Sequence, residues 1–291
     1  MDSLPLFIGL IYILLALFSF ILNALLLLTL LKHREYTTGT YRIIKHMFLV
    51  CTLQAVPFVV GGVMTIAQWE FNFYLDRVMG ILVESAWLFY IILSLALALD
   101  RLLVFVCPKS FNYDLLNMVL IAASWLFAFA ILILQCLPSF GFTYTSSYFT
   151  FVERYDDGAE SFGGVERFFN ISVFTVIFVI YLIVFGHLLR LKRSCSSQTG
   201  TSNAEIRLFL VALVSFLYET LFVLSAFWIL SVLFEDVRLE ICQNLMWIVE
   251  TALFAMVTLV VNTSLRKKVL GSLIRRKALI IVVPSVRVNC Y

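Results

Sequence analysis

A charged pair ends a long apolar run in the stretch Leu93 to Pro108, LSLALALDRLLVFVCP. The run before Asp100 and Arg101 is too apolar for anything except a buried or lipid-facing helix, so the two charges lie where that helix leaves an apolar medium. Charges are costly at such a position, which makes Asp100 and Arg101 functional candidates, with Pro108 closing the segment. The alternative is that Arg101 only anchors the helix by extending its guanidinium to water.

Three acidic residues lie inside apolar segments, away from the segment ends. Glu84 lies roughly 25 Å of helix from the charged pair, and Glu219 and Glu250 lie at comparable depths in two later segments. An ionised carboxylate facing lipid is costly, so each is expected to face the interior, to be paired or to carry a proton. Trp87 and Trp247 are each three residues from one of them, which predicts a ligand-binding cavity. The alternative is structural: protonated glutamates that hydrogen-bond across helices.

A second charged residue is expected near Arg101. Glu205 begins a later apolar segment on the same side of the membrane. If the two helix ends meet, an Arg101–Glu205 pair would bridge them in one state and part in another, biasing the equilibrium by about 1–3 kcal/mol. Asp100 is adjacent to Arg101, and adjacent residues on a helix do not face each other. Asp100 alone is therefore not expected to satisfy the guanidinium.

Motifs of catalysis are absent from the sequence. It contains no HExxH, P-loop, GxSxG or GxGxxG pattern, and its three histidines lie near the ends of different segments. Its six cysteines show no paired spacing typical of a zinc site or a disulfide framework. The sequence therefore predicts no enzyme, no metal site and no cofactor.

The elements that carry these residues must be membrane helices. The chain has 291 residues, 62% hydrophobic and 13% charged, with a mean hydropathy of +1.01. No soluble domain of this size hides so much apolar surface. About 20 apolar residues cross a bilayer as a helix. The sequence divides into seven such segments, at roughly 6–31, 44–68, 79–106, 115–138, 168–189, 206–233 and 241–263.

The distribution of charge predicts how the seven-helix bundle (1–263) is oriented. Lysine and arginine concentrate in the first, third and fifth connections and in the tail, whereas acidic residues concentrate in the other connections. The positive-inside rule then places the N-terminus outside and the C-terminus in the cytoplasm. In the tail, 264–291, Leu265, Val269, Leu273 and Ile274 share one helical face opposite basic residues. This pattern predicts an amphipathic helix in the inner-leaflet interface.

Several short motifs resemble those of rhodopsin-like G-protein-coupled receptors. LDRLLVFVCP resembles that superfamily's LDRYxxxxxP, with Asp100, Arg101 and Pro108 in register. Asn23, Trp125 and Tyr181 resemble its first-, fourth- and fifth-helix residues, and Asn262 stands where NPxxY would begin. The third segment lacks the usual outer cysteine, and the sixth lacks CWxP. With YRIIKHM and NTSLRKKVL, the pattern is similar to the nematode serpentine chemoreceptors of the srxa, srx or srt groupings.

This resemblance implies a plasma-membrane, multi-pass sensory receptor that binds a small molecule and activates a heterotrimeric G protein. The expected partners are therefore that ligand, the G protein and the lipid bilayer, with no nucleic acid. Ligand binding is expected at Glu84, Trp87, Glu219, Trp247 and Glu250, in the outer half of the bundle. Coupling is expected at Asp100, Arg101, Pro108, Glu205 and Asn262. The alternative is an ion channel or proton-coupled transporter that uses the intramembrane glutamates.

Overall fold

The computed structural model describes residues 3–69, 72–106, 113–138, 140–153, 157–194, 203–226 and 237–271. Within these ranges, seven helices are long and apolar enough to cross a bilayer. In chain order they are α1 (Ser3–Lys32), α2 (Gly39–Ala67), α3 (Phe73–Val106), α4 (Tyr113–Gln135), α5 (Asp157–Ser194), α6 (Asn203–Leu224) and α7 (Val237–Val261). The predicted seven-helix bundle is therefore confirmed.

Shorter elements connect or follow these helices. A 3₁₀ turn, Arg34–Tyr36, joins α1 to α2, and a helix over 263–271 follows α7. Between α4 and α5 the chain forms an antiparallel hairpin of β1 (Phe142–Thr145) and β2 (Thr150–Glu153). The hairpin lies at one end of the bundle, here named the hairpin end. The opposite end, where α1 ends and α6 begins, is named the basic end.

Several helices extend beyond the apolar segments that predicted them. α3 begins at Phe73 rather than at residue 79, and α5 begins at Asp157 rather than at residue 168. The added turn of α3 carries Asp76 and Arg77, which are buried because groups in and before the hairpin bond to them. Hydropathy detects only the part of a helix that lipid covers, so it misses such polar turns. The predicted end of the sixth segment, at residue 233, lies outside the described residues.

Close backbone approach joins α1 to α2. A Cβ added at Gly9 would lie 2.6 Å from the carbonyl oxygen of Gly62, and one added at Gly62 would lie 2.9 Å from that of Gly9. Lipid is as apolar as leucine, so helices in a bilayer associate through close packing, and small residues permit it. This pair of glycines therefore sets the distance between the first two helices.

Buried polar groups join α1 to α7. The Ser19 and Thr251 hydroxyls lie 2.7 Å apart, and Asn23 Nδ2 donates to the backbone carbonyls of both residues at 2.9 Å. Because Ser19, Asn23 and Thr251 are fully buried, such bonds hold the two helices in one register.

The outer surface of the bundle is apolar. On α4, Leu126, Phe129 and Ile133 are all exposed, and α5 likewise exposes Phe178, Leu182 and Phe185. An apolar surface of this extent is stable only when lipid or another protein covers it. The chain is thus a multi-pass membrane protein, as its composition predicted.

The helix over 263–271 differs from its predicted role. Asn262 Oδ1 accepts the backbone N–H of Leu265 at 3.1 Å and so caps this helix. Leu265 and Val269, predicted to enter the lipid interface, are instead buried within the protein core. Lys268 pairs with Glu35, which holds the helix against the turn between α1 and α2. The other two predicted interfacial residues, Leu273 and Ile274, lie outside the described residues.

Candidate ligand-binding and coupling sites

The charged pair on α3 lies inside the bundle. Arg101 is 0% exposed and Asp100 is 2% exposed, because α3 continues one more turn to Val106 and neighbouring helices surround the pair. The guanidinium does not extend to water, so the alternative of a simple interfacial anchor does not describe this side chain. A charge so completely removed from water must be compensated by partners within the protein.

Both neighbouring carboxylates share the Arg101 guanidinium. Nη1 donates to Glu205 Oε2 of α6 at 2.5 Å, and Nη2 donates to Asp100 Oδ2 at 2.5 Å. Nε donates to the same Asp100 oxygen at 3.1 Å. Adjacent residues were not expected to face each other, but the long arginine side chain reaches back to its neighbour. The structure thus brings Arg101 and Glu205 together, and Asp100 completes the cluster.

Two further polar residues complete this cluster, and neither was predicted. Thr40 Oγ1, at the start of α2, donates to Asp100 Oδ2 at 2.8 Å and accepts a hydrogen bond from Arg101 Nη2. Asn117 Nδ2, on α4, donates to Asp100 Oδ1 at 2.8 Å. Hydrogen bonds to a charged group contribute about 1.5–3 kcal/mol each. The signal in the sequence was the amide of Asn117 within the first turns of an apolar segment.

Of the other two predicted coupling residues, only Asn262 is described, and it lies outside the cluster. Pro108 lies outside the described residues. Asn262 lies at the end of α7, where it caps the following helix and donates to the Tyr41 hydroxyl at 3.5 Å. Tyr41 in turn is close enough to interact electrostatically with Arg101 and Glu205.

A cavity of about 190 Å³ opens at the basic end beside these residues. Its lining consists of Glu35, Tyr36, Tyr41, Arg207, Asn262 and Ser264. Tyr36 lies outside the spanning helices, and burial raises the pKa of its hydroxyl above the ordinary value. The hydroxyl therefore stays protonated at neutral pH. The cavity is lined by both charged and neutral hydrogen-bonding groups.

Aromatic rings fill the bundle toward the hairpin end. Trp87 and Trp247, both predicted, have ring centroids 5.9 Å apart. Phe222 of α6 lies 6.1 Å from Trp87 and 6.2 Å from Trp247, completing a triangle. Phe58 of α2 and Phe142 of the hairpin contact Trp247 at 5.4 and 6.3 Å. Four helices and the hairpin thus contribute to one aromatic cluster.

The three predicted glutamates are all buried in the bundle interior. Glu84 is 1% exposed, Glu219 is 3% and Glu250 is 2%. Glu219 and Glu250 are near enough to interact electrostatically. Tyr90 and Ser94 of α3 lie close enough to Glu219 to interact with its carboxylate.

Many polar atoms near this region lack a partner within the described part of the chain. They include both carboxylate oxygens of Glu219 and of Glu250, and Trp247 Nε1. Both side-chain polar atoms of Gln54, on α2, are also without a partner there. A buried polar group without a partner costs about 1–3 kcal/mol, so these atoms define the candidate ligand site.

The hairpin is held over the bundle by polar contacts. Asp76 Oδ1 accepts the backbone N–H of Tyr144 at 2.7 Å, and the Tyr144 and Thr65 hydroxyls lie 2.7 Å apart. Arg77 Nη2 donates to the backbone carbonyls of Gln135 and Leu137, at 2.7 and 2.6 Å. These bonds lie at the start of α3, the end of the third segment that lacks the superfamily's usual cysteine. The hairpin form of this connection was not predicted from the sequence.

The architecture defines the class of protein. The structure is similar to the crystal structure of squid rhodopsin, with a TM-score of 0.75 and 15% sequence identity over 92% of this chain and 85% of that chain. At this identity the likeness shows the fold alone, which is the rhodopsin-like seven-helix fold.

The family follows from the sequence itself. The family model described as serpentine type 7TM GPCR chemoreceptor Srt matches residues 3–280, and the chain belongs to this family. No curated protein matches the chain. The predicted resemblance is confirmed, and of the three groupings it named, the match is to srt. Members of this family and fold are generally not enzymes.

Proposed function

We propose that this chemoreceptor binds a small molecule beneath the hairpin and activates a heterotrimeric G protein at the plasma membrane. The observation that carries the proposal is the fully buried Arg101, which bridges α3 to Glu205 of α6. Two spanning helices joined by one ion pair at the basic end form an element with two arrangements, joined and parted. In this proposal the N-terminus is outside and the basic end faces the cytoplasm.

The aromatic cluster and the buried glutamates support the ligand-binding part of the proposal. Indole rings and a carboxylate together suit a small ligand with a positively charged group, because the ring faces and the carboxylate both attract a cation. Trp87, Trp247, Glu84, Glu219 and Glu250 are the proposed contacts. The ligand acts by binding one helix arrangement more tightly than the other.

The cluster at the basic end supports the coupling part of the proposal. Parting of Arg101 from Glu205 releases α6 and widens the adjoining cavity for a helix of the G protein. Asp100 positions the guanidinium, while Pro108 and Asn262 are proposed to shape the rim. A receptor of this kind serves sensory perception of external chemicals.

A single substitution tests the proposal. A ligand panel with a promiscuous G-protein readout first identifies an agonist for the wild-type receptor. Arg101→Ala is then expected to abolish the agonist response at normal surface expression. Arg42→Ala is the matched control. Arg42 lies at the same end of the bundle, but its side chain is exposed and its ion pair with Asp114 is long, at 4.0 Å. An agonist response that survives in Arg101→Ala at normal surface levels contradicts the proposed coupling.

A second candidate function rests on the buried carboxylates. Glu219 and Glu250 lie in the interior without hydrogen-bond partners among the described residues, as do acidic groups along ion and proton paths. An ion channel or proton-coupled transporter is therefore the alternative. Purified protein in liposomes, assayed for ion flux without a G protein, distinguishes the two. Flux that Glu219→Gln removes favours the transport function.

A further inference from the structure

Asn117 is the contact between α4 and the charged cluster at the basic end. Its side chain is 3% exposed, and Nδ2 donates to Asp100 Oδ1 at 2.8 Å. The second oxygen of Asp100 is already shared by Arg101 and Thr40. Among the described residues of α4, Asn117 therefore supplies the hydrogen bond that holds the Asp100 carboxylate.

The first residue of α2 fits closely around this amide. A Cβ added at Gly39 would overlap Asn117 Nδ2 and lie 2.9 Å from Asn117 Cγ. Any larger side chain at this position must therefore displace the Asn117 amide from Asp100. The backbone of α2 at Gly39 and the Asn117 amide of α4 are thus in direct contact, with no space between them for a side chain.

We infer that Asn117 is a positioning residue that keeps the receptor in its inactive arrangement by fixing Asp100, and through it the Arg101–Glu205 pair. This inference rests on the proposed coupling to a G protein. It assigns to α4 a part in restraining α6, although the two helices share no direct contact in this cluster.

The expected direction of the change in receptor activity follows from the way Asp100 and Glu205 share the Arg101 guanidinium. Without the Asn117 donor, Asp100 Oδ1 is a buried charged acceptor that lacks a partner. The nearest available donor is Arg101, which Asp100 then draws toward itself and away from Glu205. Glu205 is 37% exposed, so it turns to water at little cost. The α3–α6 bridge weakens, and the active arrangement gains population.

Basal signalling tests this inference without any ligand. Wild-type receptor and each variant are reconstituted with a heterotrimeric G protein, and nucleotide exchange is measured relative to receptor-free vesicles. Asn117→Leu, which retains volume but not the donor, is expected to raise basal exchange by roughly tenfold or more, as loss of one charge-assisted bond shifts a two-state equilibrium. Ser124→Ala is the matched control, because buried Ser124 of α4 bonds only to its own helix at Leu120.

Gly39→Ala is an independent variant that affects the same contact from α2. It is expected to raise basal exchange in the wild-type background but not in the Asn117→Leu background, where the displaced amide is already gone. Gly186→Ala is its control, since nothing lies within 4 Å of a Cβ there. This dependence on background separates positioning from general destabilisation.

A structural readout separates the inference from the proposed function. Hydrogen–deuterium exchange of the peptide over 203–212 is expected to rise in Asn117→Leu, with the remaining helices unchanged. If Glu205→Gln raises basal exchange while Asn117→Leu leaves both readouts at wild-type level, the role of Asn117 is refuted and the proposed coupling stands. If no variant, Glu205→Gln included, exceeds receptor-free vesicles, the proposed coupling and the inference both fail.

Discussion

The Asp76 carboxylate accepts the backbone N–H of Tyr144 at 2.7 Å, and so joins the first turn of α3 to the hairpin. Both residues are buried. One turn further along α3, Gly80 has no side chain, and a Cβ there would overlap the carbonyl oxygen of Phe142. The hairpin therefore rests directly on the backbone of α3 and is fixed there by a charged acceptor.

Asp76→Ala is expected to loosen the hairpin. Loss of a hydrogen bond to a charged acceptor lowers the free energy of unfolding by about 1.5–3 kcal/mol. Thermal unfolding of the purified receptor and proteolysis within 142–153 measure the effect. Asp76→Asn retains an acceptor and should lose less. Equal stability of all three proteins would show that this bond does not hold the hairpin.

Glu84→Gln tests whether the ligand carries a positive charge. If Glu84 pairs with a cationic group, the variant loses more than about tenfold in potency for amines and far less for neutral odorants of the same carbon skeleton. Concentration–response curves for matched amine and neutral panels provide the measurement. Asp114→Asn, an exposed acid at the basic end, serves as the control. Equal losses for both panels would indicate a structural glutamate.

Trp247→Phe tests the indole N–H of the aromatic cluster. The variant retains a ring against Trp87 and Phe222 but removes Nε1, which has no acceptor within the described residues. Ligands with a hydrogen-bond acceptor should lose roughly three- to tenfold in potency, and apolar analogues should lose little. Trp125→Phe, on α4 outside this cluster, is the comparison. Unchanged potency for acceptor-bearing ligands would exclude Nε1 as a ligand contact.

Glu205→Gln is expected to raise basal signalling by at least about fivefold, because it removes the charge that attracts Arg101 toward α6. Basal nucleotide exchange of a reconstituted G protein measures this. Glu205→Asp, which retains the charge on a shorter side chain, should rise less. A fall in basal exchange at normal receptor amounts would contradict a restraining role for the pair.

Gly62→Ala is expected to separate α1 from α2, because the added Cβ would lie 2.9 Å from the carbonyl oxygen of Gly9. Overpacking of this kind lowers stability by about 1–3 kcal/mol. The melting temperature in detergent reports it. Gly164→Ala adds a methyl group where nothing lies within 4 Å and should leave the melting temperature unchanged. A wild-type melting temperature in Gly62→Ala would mean that the two helices separate without strain.

Hydropathy predicted the seven helices because the bilayer imposes one simple requirement, about 20 apolar residues for each span. The same cost of charge in lipid led to the expectation that Glu84, Glu219 and Glu250 each face the interior, are paired or carry a proton, and all three are buried. Both predictions depend on the solvent and not on the neighbours of a residue. They therefore need no knowledge of how the helices pack.

Partners and helix ends were harder to predict because they depend on packing. Asn117 bonds to Asp100 only because α4 passes beside α3 at that height. Asn262 appeared to begin a motif of the seventh helix, yet its side chain caps the helix that follows. The hairpin was missed because each of its strands is only four residues long, and its buried face is defined by the bundle beneath it.

The hydrogen bonds that hold the hairpin on the bundle affect how the protein can be produced and purified. Cys136 and Cys242, which lie toward the hairpin end, are free thiols, as is buried Cys51. Asp76, Arg77 and Thr65 seat the hairpin through bonds that form without any oxidant. Among the described residues the hairpin is therefore held without a disulfide, so reducing agents can be present while the protein is produced and purified without loosening it.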